Sequence, residues 1–337
     1  MRLNLIGNGF DLYHGLPSKY RHFAFFLIDK HESFYYEMGT MYGVQTISAK
    51  NIGPYIEETP VVKDQFWSDF ESNLGQLEDC WLEYSLPDEL DLENDDAVQI
   101  DMPEVFNARI IKNYFSEWVK EYLDSSENIE IIDRHKALKM VDFGDDDLFI
   151  TFNYTHLLEN LYGIYDSQIE HIHGEANDPE SIVVGHGNVK EIQDKKVDLK
   201  EYEEKYNRYN QHDLNRYSEI EAEIQVLESL KKDVDYYKLR IGNFLHNQDI
   251  DEIYVYGLSC NDIDAPYYKE LIKLYPYASW HFSSYDGKEA KNREKFAEKV
   301  LKLKKGQYDT FKFRNKNADI ICDDIMKSRG FKTYPVI

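Results

Sequence analysis

Short, mostly apolar runs recur along the chain at residues 3–6, 148–152, 169–172, 182–184, 253–256 and 280–282. Runs without strict alternation read as strands buried on both faces, the habit of parallel sheets. Several of them stop at Gly, Asn or Ser, which places polar groups at their C-terminal ends. In open α/β sheets ligands bind at those ends. Two long intervals between the runs, about 18–142 and 190–247, read as helical. In the first, Phe66, Phe70, Leu74, Leu77 and Trp81 recur at helical spacing, and the acidic stretch 87–104 reads as a solvated loop. The second is rich in Lys, Glu and Tyr, with no Pro or Gly before Gly242, and predicts long charged helices over 201–210 and 215–245. The pattern predicts an α/β protein. Its core is a Rossmann-like, doubly wound, mainly parallel sheet in one domain, 1–337, carrying two helical insertions.

Composition narrows the function. The 337 residues carry a formal charge of -24, which argues against a nucleic-acid groove, because such a groove needs clustered cations. Cys80, Cys260 and Cys322 lie far apart with no CxxC pair. A cysteine zinc ribbon and a disulfide framework are therefore not expected, and a reducing cytoplasm is. No signal peptide and no apolar run near the roughly 20 residues of a membrane span are visible. The chain reads as soluble and cytoplasmic, with no membrane partner.

The candidate chemistry sits at the strand ends. In Gly7-Asn8-Gly9-Phe10-Asp11 the first glycine permits a sharp exit from the strand, and the second lets backbone N–H groups approach a phosphate. A lone GxG is also an ordinary tight turn, but Gly15 and Pro17 extend it into a loop able to fold over a ligand before the next helix. Asp11 faces a ribose hydroxyl or caps that helix. Asn153, where the second run meets its turn, binds a ribose or a water, or forms the turn. His171 and His173 share one strand face. They offer a metal pair, a general base at His173, or hydrogen-bonded structural histidines. Gly185-His186-Gly187 and Gly257-Leu258-Ser259 add two more polar ends, the latter suited to phosphate.

The segment 6–20, with Phe152-Asn153-Tyr154-Thr155 and His171-Ile172-His173-Gly174, resembles the bacteriophage abortive-infection family AbiH over most of the chain. That family is in turn distantly similar to the sirtuin-like NAD-binding fold. Gly7, Gly9, Gly15 and Pro17 keep the spacing of the sirtuin glycine loop, and Asn153 and Thr151 match its T-Q-N-I-D strand end. His173-Gly174 falls on the catalytic histidine-glycine. Val183-Val184-Gly185 resembles the strand that follows it, and Gly257-Leu258-Ser259 the later phosphate turn. Asp11 stands in place of the loop serine, Thr155 in place of the motif aspartate, and the four ribbon cysteines are absent.

The resemblance implies an antiphage effector that binds NAD and hydrolyses its nicotinamide–ribose bond. Asn153 and His173 would be catalytic, and Gly7, Asn8, Gly9, Phe10, Asp11, Gly15, Pro17, Thr155, Gly257 and Ser259 would hold the nucleotide. No zinc or other metal is expected; a homo-oligomer and a phage-derived trigger are. A second reading is a metal-dependent phosphoesterase or nuclease using Asp11, His14, His171, His173 and His186. A third is a non-catalytic nucleotide sensor whose output lies in the helical insertions.

Overall fold

The computed structural model describes residues 1–52, 55–76, 104–135, 141–205, 211–260 and 264–337. The chain divides into two compact units. One comprises Met1–Lys19, Phe115–Ile182 and Asp233–Phe331; the other comprises Tyr20–Tyr114, Val183–Lys232 and Lys332–Ile337. Six parallel strands build the sheet of the first unit: β1 (Arg2–Ile6), β4 (Leu148–Thr151), β5 (Ile169–His171), β6 (Glu252–Tyr256), β7 (Ser279–Ser284) and β8 (Tyr308–Lys312). The second unit contains the antiparallel hairpin of β2 (Ile47–Ile52) and β3 (Tyr55–Pro60).

Alternation along β1 assigns its side chains to the two faces of the sheet. Leu3 and Leu5 join Leu148, Ile150, Ile253, Val255, Trp280 and Phe282 in one core layer, completed by Ile241, Tyr268, Leu271 and Phe296 from covering helices. Ile6 joins Phe149, Ile169 and Tyr256 in the opposite layer with Phe10, Ile132, Leu158 and Ile321. Asn4, between the two leucines, is buried and donates its amide to Leu148 O at 3.3 Å. Both faces are covered by helices, as the apolar runs predict.

The strand order is β5-β4-β1-β6-β7-β8. From β1 the chain adds β4 and β5 on one side, then crosses back to add β6, β7 and β8 on the other. This is the doubly wound Rossmann order, and its switch point lies between β1 and β6. The sheet register sets Ile6 beside both Thr151 and Tyr256, so the segments that begin at Gly7, Phe152 and Gly257 leave the sheet together.

Three sequence expectations are corrected. The run at 182–184 is buried but is not a strand. The chain just beyond it pairs with residues 230–232, through His186 N–H to Leu230 O (2.9 Å) and Lys232 N–H to His186 O (3.0 Å). The interval 18–142 is not wholly helical, because β2 and β3 lie within it. Among the described residues the interval 190–247 holds three helices, Val189–Lys205, Gln211–Ser229 and Val234–Phe244, rather than the one or two drawn from composition. Its last break falls where Asp233 caps the Tyr236 N–H at 3.1 Å. The acidic stretch at 87–103, with Leu77 and Trp81, lies outside the described residues.

The second unit is built around aromatic rings. Tyr35 stacks on Trp67 with centroids 6.0 Å apart, and Trp67 on Phe70 at 5.0 Å. Among the described residues no helix is long and apolar enough to cross a membrane.

Candidate functional site

Gly7 and Gly9 bring the turn after β1 against the turn after β6. The Gly7 N–H donates to Tyr256 O and the Gly9 N–H to Gly257 O, each at 2.9 Å. A Cβ on Gly9 would stand 2.6 Å from the Gly257 Cα, and one on Gly257, whose φ is +62°, would stand 2.4 Å from the Gly9 Cα. Backbone meets backbone here, so only glycine is accommodated. The structure thus engages these two N–H groups within the chain at the switch point. Asn8 is exposed and donates its amide to Ser18 O (3.0 Å), while Phe10 is fully buried in the core. Gly15 and Pro17 belong to a buried turn, in which Gly15 abuts Ile321 of the helix Ala318–Ser328.

Asp11 lies inside the short helix Asn8–Tyr13 and does not cap it; Gly7 occupies the cap position. The Asp11 carboxylate is 2% exposed and faces the turn after β4. It accepts from Asn153 Nδ2 at 2.8 Å and from the Thr155 hydroxyl at 2.9 Å. Asn153 Nδ2 also donates to Gly7 O at 3.1 Å. A side-chain amide has two N–H donors, and both are placed here; its remaining capacity is the acceptor Oδ1. Burial pushes the Asp11 carboxyl up to about 7, opposed by the Thr155 and Asn153 bonds and reinforced by the Asp124 and Glu159 carboxylates. The Asn153 N–H is held by Thr151 Oγ1 at 3.1 Å, so the turn itself is fixed.

His173 is buried in a box of rings. Phe152 meets it edge-on at 5.1 Å, with Tyr154 at 6.3 Å and Tyr237 and Tyr267 both at 6.2 Å. Gly174 follows with φ +83°, and a Cβ there would fall 2.2 Å from Ser181 O. Ser259 is exposed and gives its hydroxyl to Asp264 Oδ2. Tyr268 OH donates to Ser259 O at 3.0 Å.

Two of the histidines considered as metal ligands have both ring nitrogens engaged. His14 Nδ1 lies 2.7 Å from Phe10 O and Nε2 lies 2.7 Å from Tyr162 OH. Burial drives its imidazole down to about 4, so it is neutral at pH 7. His186 Nε2 donates to Leu227 O (2.9 Å) while Nδ1 accepts from the Asn188 N–H (3.0 Å). Burial lowers its pKa as well.

His171 instead belongs to a cluster that sequence reasoning missed. Its Nε2 lies 2.8 Å from Glu159 Oε1 and 3.7 Å from Glu175 Oε1. His156 Nε2 lies 3.3 Å from the same Glu175 oxygen. His156 Nδ1 is bonded to Asp124 Oδ2, and Asp124 Oδ1 accepts the His156 backbone N–H at 2.9 Å. The Asp124 bond is the main cause that raises the His156 imidazole to about 9, against the opposing effect of burial. Arg240 pairs with Glu170 and donates to His171 O at 3.1 Å, anchoring the end of β5. The available signals were short: His156 and Glu159 stand three apart at a helix start, and His171 and Glu175 four apart across a glycine.

Compared with known proteins, the chain matches the family described as bacteriophage abortive infection AbiH over residues 3–284. No curated protein and no solved structure matches it.

Proposed function

This chain belongs to the AbiH family of bacteriophage abortive infection proteins, and from that premise we propose that it is an antiphage effector that binds NAD and hydrolyses the nicotinamide–ribose bond. The observation that carries the reading is the buried Asp11–Asn153–Thr155 unit at the C-terminal ends of β1 and β4, beside the switch point of a Rossmann-ordered sheet. Ligands of such sheets bind there.

The chemistry asks little of cations. As nicotinamide leaves with the glycosidic electron pair, positive charge builds on the ribose. Water then adds to the anomeric carbon and gives up a proton. With both Asn153 N–H groups directed at Asp11 and Gly7 O, Asn153 Oδ1 accepts from the attacking water or a ribose hydroxyl. His173 serves as the proton acceptor or orients a ribose hydroxyl. The aromatic rings around it favour a flat, poorly hydrated ring such as nicotinamide. In an infected cell, loss of NAD would stop growth.

The test is release of free nicotinamide from NAD by purified protein, with Asn153→Ala and His173→Ala alongside. Release by the wild type, falling at least a hundredfold in both variants while their circular dichroism is unchanged, supports the reading. Absence of both release and NAD binding, with and without phage lysate, overturns it.

A further inference from the structure

Three side chains from the segments after β4 and β5 converge, with His171 from the end of β5 beside them. Ligand atoms of His156, Glu159 and Glu175 all lie within 4.8 Å of one another. His171 Nε2 is directed at both carboxylates, 2.8 Å from Glu159 and 3.7 Å from Glu175. An imidazole nitrogen carries one hydrogen at most, so it cannot satisfy two carboxylates at once. The second oxygen of Glu159 is buried and has no hydrogen-bond partner among the described residues. His171 is itself 9% exposed. His156 also faces Glu175, so the group left over is the buried Glu159 oxygen, which a dication held between the two carboxylates would partner.

We propose that His156, Glu159, His171 and Glu175 form a binding site for one first-row transition-metal dication, of the zinc or manganese kind. Metal–ligand bonds near 2.1 Å place tetrahedral ligand atoms about 3.4 Å apart. Three of the ligand separations, 2.8, 3.3 and 3.7 Å, bracket that value. Two imidazoles with two carboxylates select such ions over magnesium or calcium, which take oxygen. Asp124 holds the far nitrogen of His156 and its backbone N–H, the arrangement by which a carboxylate orients a metal-bound histidine. Glu175 is 46% exposed, so one side of the site opens to solvent for a water or substrate oxygen. The site uses no cysteine, which is why cysteine spacing did not disclose it.

The test loads the full chain with Zn²⁺, Mn²⁺ or Mg²⁺, removes unbound ion by desalting and counts retained metal by mass spectrometry; titration gives the affinities. No nucleotide is present, so the outcome is independent of the NAD reading. One Zn²⁺ or Mn²⁺ per chain is expected, with Mg²⁺ not retained. Glu159→Gln and Glu175→Gln should each weaken binding at least tenfold, and Asp124→Asn by about ten- to a hundredfold through lost orientation. Glu175, being half exposed, can be replaced without disturbing the core, which keeps the test clear of misfolding. Failure of the wild type to retain either ion, or undiminished retention in Glu159→Gln and Glu175→Gln, overturns the proposal.

Discussion

Asn153 and Asp11 lie 142 residues apart and share a buried hydrogen bond of 2.8 Å that ties the turn after β4 to the helix after β1. Removing the amide leaves a buried carboxyl and the Gly7 carbonyl short of a partner, which costs about 1–3 kcal/mol. Asn153→Ala should therefore lower the midpoint of chemical denaturation. Asn153→Asp should lower it further, by setting a second carboxylate against the first. A midpoint unchanged in both variants would mean the contact does not hold in solution.

Asp11 and His14 should shape acid stability in opposite directions. The folded Asp11 carboxyl sits near 7 rather than 3.8, so the native state holds a proton that the unfolded chain has lost, and this contribution to stability falls as pH rises from about 4 to 7. Folded His14 sits near 4 rather than 6.5, so its contribution is complete above about 6.5 and is lost as pH falls towards 4. Each amounts to roughly 3–4 kcal/mol over its window. In the wild type the two slopes largely cancel between pH 4 and 6.5. Asp11→Asn should expose the His14 slope, and His14→Gln the Asp11 slope, in unfolding free energies measured at half-unit pH steps.

Gly9→Ala forces a methyl group against the Gly257 backbone, which cannot rotate away as a side chain could. A loss of about 1–3 kcal/mol is expected. Gly287→Ala, where a new Cβ meets nothing within 4 Å at a helix start, is the control and should be neutral or mildly stabilising. Thermal melts of the pair separate contact from composition.

The runs at 3–6, 148–152, 253–256 and 280–282 disclosed their strands because each is mostly buried and rich in large apolar or aromatic residues. β8 escaped notice: Tyr308–Lys312 lies at the sheet edge, is only partly buried and sets Tyr308 and Phe311 among polar residues. The hairpin of β2 and β3 has the sequence of a polar surface ribbon and hid within a segment read as helical. The apolar 182–184 run misled in the other direction, because burial alone does not supply a strand partner. At the site, Gly7 and Asn153 were legible as residues just past a strand end. By contrast, β5 stops at His171 and leaves His173 in the following turn, so the two histidines do not share a strand face. The link from Asp11 to Asn153 and Thr155 was not legible, since no local spacing encodes it. Asp124 was invisible for the same reason, and Glu159 offered only its three-residue spacing from His156.

The most direct measurement is the NAD pool of cells that carry this protein, followed through phage infection beside cells carrying His173→Ala. The proposed activity requires the pool to fall, with free nicotinamide rising, in the wild type before lysis, and to stay level in the variant. A wild-type culture that stops phage growth while its NAD pool stays level would contradict it.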